Sequence, residues 1–266
     1  MKTSLRPVQK LAFASMLLAM SIVMTLLAKK INMGSFFFIR FSLTPSLVVC
    51  SSLVLGPFYG ILIGVFSDFI PAFLEATGPY NFLITIVYGV LGLLPWVIEK
   101  FSCHFRTALR KPYIFYASLA LILGIVATLF YATNWLDDSF GSAAIWAKPL
   151  VLGATAFLDV GLCVSLYFWN RHYQKEILDL HDIPSPNEVA FISLISEVVV
   201  MDLLKALAFW VYYVFLANDS STFTYGFVFS MLFMASSVDI IIMTFTVSWM
   251  LIFTKRYIHP LVEQNK

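Results

Sequence analysis

Apolar residues fall in long blocks divided by short polar connections. The blocks run Leu11 to Ala28, Leu43 to Leu55, Phe58 to Leu74, Phe82 to Ile98, Tyr113 to Thr133, Leu150 to Trp169, Val189 to Leu216 and Tyr225 to Phe253. A hydrocarbon core roughly 30 Å thick needs about 20 mostly apolar residues per helical crossing. The blocks therefore predict about eight transmembrane helices in one membrane domain. The second block is short for a straight crossing and carries Pro45, which fits a tilted, broken or partly inserted helix. Before the seventh block, Ser185-Pro186-Asn187-Glu188 reads as a Ser N-cap followed by Pro at the first helical position and Glu at the third. A helix from Pro186 to Leu216 exceeds what a bilayer requires, so its first turns are expected to stand in the cytoplasm or the helix to tilt.

Composition agrees with this reading. Hydrophobic residues make up 60% of the chain and charged ones 12%, and the mean hydropathy is +0.87, outside the range of soluble domains. A net charge of +2 gives no footprint for nucleic acid. Lys2, Arg6 and Lys10 ahead of the first block resemble a signal peptide's basic region. The block is longer than such peptides carry, and Lys29-Lys30 follow it without a small-residue cleavage site, so a retained helix is expected.

Basic residues orient the chain, because cytoplasmic connections carry their excess. With the N-terminus inside, the inner connections hold Lys2, Arg6, Lys10, Lys100, Arg106, Arg110, Lys111, Arg171, Lys175, Lys255, Arg256 and Lys266. The outer ones hold only Lys29, Lys30, Arg40 and Lys148. Both termini are expected in the cytoplasm of a cell-membrane protein, and the polar knot Glu75-Ala-Thr-Gly-Pro-Tyr-Asn81 outside. Cys50, Cys103 and Cys163 are scattered and form no metal or disulfide pattern.

Ionisable side chains within apolar blocks need a partner or a purpose, since each costs at least ~2.5–3.5 kcal/mol on insertion scales. They are Asp68, Asp159, Glu197, Asp202, Lys205 and Asp239. Asp202 and Lys205, three apart, can neutralise each other on one helix face; alternatively Lys205 faces Asp239 or an anionic ligand group. Glu197 fits a position near the inner interface, where it would be hydrated. Arg40 can snorkel to headgroups or grip a solute carboxylate with its planar fork. Thr77-Gly78-Pro79-Tyr80 is either a plain turn or, with Glu75 and Asn81, a ligand loop in which Tyr80 offers a ring and Asn81 an amide edge. Ser15 and Ala19 form a small-xxx-small pair on the first helix.

The stretch LGPFYGILIGVFSDFI, then TGPY, then a helix ending YGVLGLLPW, resembles the substrate-binding S components of energy-coupling factor (ECF) vitamin transporters, most closely their folate-type branch. Gly56, Pro57, Asp68, Thr77, Gly78, Pro79 and Tyr80 follow that family's order and spacing. The resemblance implies an all-α integral membrane protein: a six-helix S-component-like bundle plus an additional pair of transmembrane helices. Residues 11–98 would supply the first four core helices, 113–170 the extra pair and 186–254 the last two core helices. It implies a substrate site drawn from Arg40, Asp68, Glu75, Thr77, Gly78, Tyr80, Asn81 and Lys205. Ser15 and Ala19 would dock a coupling membrane subunit, itself served by two ATPases. Besides the extra pair, Glu75-Ala76 stands where the family has Phe-Pro.

Several chemistries lack their parts. The chain has no Gly-x-x-x-x-Gly-Lys-Ser/Thr loop, so ATP is expected on partner subunits and no cofactor on this chain. It has no His-Glu-x-x-His and no Gly-x-Ser-x-Gly, and it is not expected to be an enzyme. The rival reading is a self-contained secondary transporter coupled to protons or sodium through Asp68, Asp159 and Asp239.

Overall fold

A computed structural model describes residues 7–30, 43–74, 80–109, 149, 153, 156–157, 160–171, 184–216 and 225–254. Among these residues the chain is helical and holds no strand. The first four helices are α1 (Pro7–Lys30), α2 (Thr44–Leu55), α3 (Pro57–Leu74) and α4 (Phe82–Leu109). A long composite helix follows: α5 (Pro186–Ile195), a π-helical segment (Ser196–Leu204), α6 (Lys205–Val211) and a second π segment (Tyr212–Leu216). The last element, α7 (Tyr225–Phe253), has the bounds expected from its apolar block. Most of the expected extra pair lies outside the described residues. Its final helical stretch, 160–171, stacks Trp169 on Phe245 of α7 with ring centroids 4.7 Å apart.

Among the described residues three helices are long and apolar enough to cross a membrane: Pro7–Ala28, Pro57–Leu74 and Phe82–Ser102. Their outward faces carry large apolar side chains, among them Met16, Phe66, Phe73 and Phe101. In water such a surface would be unfavourable; against lipid it is the expected one.

The short second block behaves differently from a crossing helix. α2 is a single unbroken helix of 12 residues, every one of them buried, packed against α1, α3, α4 and α7. At 1.5 Å per residue it is about 18 Å long, too short to span the core. Its hydroxyl side chains, Thr44, Ser46, Ser51 and Ser52, are buried along with its apolar ones, so protein neighbours surround it on every side. Gly56 then adopts φ +100°, a conformation open chiefly to glycine, and Pro57 starts α3 at once.

α3 and α4 form the most intimate pair. A Cβ on Gly60 would collide with the Gly92 carbonyl oxygen, one on Gly92 with the Gly60 backbone, and one on Gly64 with the Tyr88 carbonyl. The Gly60-x-x-x-Gly64 spacing is a close-approach signal for membrane helices.

Pro71 interrupts the α3 ladder because it has no N–H for the Ser67 carbonyl. The Thr25 hydroxyl of α1 stands 3.4 Å from that oxygen, while donating to Ser21 O at 2.9 Å and lying 2.8 Å from the Thr44 hydroxyl of α2. This polar cluster joins three helices at one end of the bundle, hereafter the upper end.

The composite helix begins as its sequence predicts. Ser185 accepts from Glu188 N at 3.3 Å, and the Glu188 carboxylate accepts from Ser185 N at 2.9 Å, completing a capping box. Pro186, Asn187, Glu188 and Val189 are buried against the bundle, where α5 packs on α4 and α7. Ser185→Ala is expected to lower stability by about 1 kcal/mol, measured by thermal unfolding in detergent.

Candidate functional site

The upper end of α3 and α4 carries a chain of hydroxyl contacts. Thr85 on α4 donates to Asp68 Oδ2 on α3 at 2.5 Å, and the Tyr80 hydroxyl bonds Thr85 Oγ1. A threonine has one hydroxyl hydrogen, so once it is given to Asp68 the Tyr80 O–H must be the donor to Thr85. Proton donation therefore runs Tyr80 to Thr85 to Asp68. Phe69 and Phe73 flank the Tyr80 ring at centroid distances of 6.0 and 5.8 Å, which holds the ring over the end of α3.

Asn81 does two jobs beside it. Its Oδ1 accepts from Leu83 N at 3.1 Å, capping α4, while Nδ2 donates to the Ala208 carbonyl of α6 at 3.4 Å. Ala208 lies just before the second π segment and three residues beyond Lys205, a rise of about 4.5 Å along the helix. The closing edge of the polar knot is thereby tied to α3, α4 and the composite helix together.

Of the substrate residues expected from sequence, Asp68, Tyr80 and Asn81 come together in this way. Thr85 joins them unforeseen; its signal was its place one turn into α4, beyond the end of the knot. Arg40, Glu75, Thr77 and Gly78 lie outside the described residues. Ser15 and Ala19 lie on the exposed stripe of α1, opposite the buried Ala14, Leu17 and Ser21.

Lys205 belongs to a second constellation near the midpoints of the composite helix and α7. Glu197 and Asp202 sit on the first π segment, 3% and 1% exposed, so Glu197 is not the hydrated interfacial residue its position suggested. Glu197 stands in the electrostatic field of Asp202, Asp239 and Lys205. Ser236 of α7 donates toward the Asp202 carboxylate, its Oγ 2.7 Å from both oxygens. Of the acids named for ion coupling, Asp239 lies here, Asp68 at the upper end, and Asp159 outside the described residues. The π turns escape pattern reading because they retain the apolar content of an α-helix.

Comparison with protein-family models, with curated proteins and with solved structures found no match to this chain. Fold and surface together define its class: an α-helical, membrane-embedded protein.

Proposed function

We propose that this protein is the solute-capturing S component of an energy-coupling factor importer, taking a vitamin-like molecule, folate or a related heterocycle, from outside the cell. The observation that carries the reading is the Tyr80–Thr85–Asp68 relay beside Asn81, which secures one edge of the polar knot to three helices. A loop so anchored can cap a solute between the upper ends of those helices. Arg40 would take an anionic end of the solute, Tyr80 and Asn81 its ring, and Lys205 a group reaching deeper. Largely apolar walls with a few directed polar groups suit such a ligand. With no phosphate-binding loop in its sequence, the chain would draw ATP-derived work from two ATPases through a coupling membrane subunit. Ser15 and Ala19, small and outward-facing, would let a coupling helix approach closely.

The test is purification in mild detergent followed by mass spectrometry of the retained small molecules and proteins. A bound heterocycle, with the ATPases and coupling subunit co-purifying, supports the proposal. Ala19→Trp is expected to reduce recovery of those partners at least tenfold and to leave solute binding unchanged, because the bulky ring stands on the docking face and away from the knot. Solute uptake by the purified chain alone, driven by an ion gradient without ATP, would instead establish the secondary transporter. That second reading draws its support from the gathering of Glu197, Asp202 and Asp239 near the middle of the bundle.

A further inference from the structure

We propose that Glu197, Asp202 and Asp239 form a proton-binding site between the composite helix and α7. The first ground is charge. Among the described residues three carboxylates share their surroundings with one ammonium, that of Lys205, so full ionisation would leave two of those negative charges unmatched by it in the interior of a membrane bundle. Burial makes such charges costly, and a bound proton would offset them.

The second ground is hydrogen bonding. Glu197 Oε2 and Asp239 Oδ1, on facing helices, have no hydrogen-bond partner among the described residues, and the Glu197 side chain is almost wholly buried. A carboxylate oxygen accepts hydrogen bonds and cannot donate one, whereas a protonated carboxyl carries its own hydrogen. Protonation removes the buried charge at the very atoms that lack a donor. Asp202 differs, since the Ser236 hydroxyl already serves it.

The arrangement suits a proton. Among the described residues no group of three or more acids, histidines or cysteines converges as a transition-metal site requires. Protons need no convergence and can be held one carboxyl at a time. Among the described residues the titratable and charged groups around Glu197 are few. Its own helix supplies Asp202, Lys205 and, at the distant cap, Glu188; α7 supplies Asp239 and, in the field of Asp202, Tyr225. The buried positions of α4 include apolar Val87, Leu91 and Ile98 and, among the described residues, no charged side chain. Glu197 and Asp202 also stand on a nine-residue π segment, a geometry that recurs at functional sites because its wider turns re-aim side chains.

Infrared spectroscopy of the full-length protein in an ester-free detergent tests this directly, because a protonated carboxyl absorbs apart from a carboxylate. The expected result is such an absorption near neutral pH, lost on strong alkalinisation and removed or shifted in E197Q or D239N. Isotopic labelling of glutamate and then of aspartate carboxyls assigns the band in the unsubstituted protein, so the assignment survives a variant that fails to fold. Absence of the band near neutral pH, or a band that neither label moves, overturns the proposal, as does one unaltered by E197Q, D202N and D239N in folded protein. The measurement needs no solute and no partner, so its outcome is independent of the transport reading.

Discussion

Leucine in place of Gly92 is expected to prevent α3 and α4 from docking and to leave little folded protein in the membrane fraction. The Gly92 Cβ position is already filled by backbone of the opposite helix, the Gly60 carbonyl and the Ile61 nitrogen. Backbone cannot move aside as the end of a flexible side chain can, so the helices must separate. Separation opens gaps along an interface that no hydrophobic force holds in lipid, where close packing is the main attraction. Gly92→Ala, adding one methyl group, should lower stability by about 1–3 kcal/mol, the usual range for overpacking. Gly89→Ala is the control: its new Cβ would meet only the Val65 side chain, at 3.2 Å, and a small rotation relieves the contact. Thermal unfolding in detergent should rank Gly92→Ala well below Gly89→Ala. Equal melting temperatures would show that the close crossing does not hold the pair together.

Thr85→Val should weaken solute binding roughly 10- to 100-fold, the equivalent of about 1.5–3 kcal/mol for a hydrogen bond to a charged group. Valine keeps the shape and removes the hydroxyl that receives the Tyr80 proton and donates to Asp68. Asp68 and Tyr80 would then be uncoupled, and the edge of the knot would lose its attachment to α3. Tyr80→Phe deletes only the upper contact and should cost less, because the Thr85–Asp68 bond survives. Isothermal titration with the solute recovered from the purified protein measures both affinities. Each variant also loses a hydrogen bond of the solute-free fold, so the unfolding temperature without solute should fall modestly, and it is measured beside the titration to confirm that the variant is folded where its affinity is read. If Thr85→Val bound solute as tightly as the unsubstituted protein, the relay would have no part in capture and the proposed capping role of the knot would fall.

The candidate site was legible in uneven measure. Asp68, Tyr80 and Asn81 stood out because a carboxylate within an apolar block and a turn rich in hydrogen-bonding groups are both expensive or unusual in a membrane chain. Thr85 did not, since a threonine is tolerated in any membrane helix and nothing local marks it as a partner. Lys205 was noticed for its charge, but its neighbours depended on how two helices distant in sequence pack. The capping box at Ser185 was readable because all its parts lie within four residues. That those same residues are buried was not readable, because the cover comes from α4 and α7.

By itself the sequence determined the helical class, the membrane environment and the ends of several helices. These depend on local quantities: the length of an apolar run, a proline after a glycine, a serine three residues before a glutamate. Tertiary structure alone decided that α2 is an internal helix, that α3 and α4 touch through backbone, and that Glu197, Asp202 and Asp239 share one buried neighbourhood. An apolar side chain serves equally well against lipid or against protein, so hydropathy cannot say which surrounds it. Only the packing of distant segments chooses, and it is that choice which brings Glu197, Asp202 and Asp239 into one another's electrostatic field.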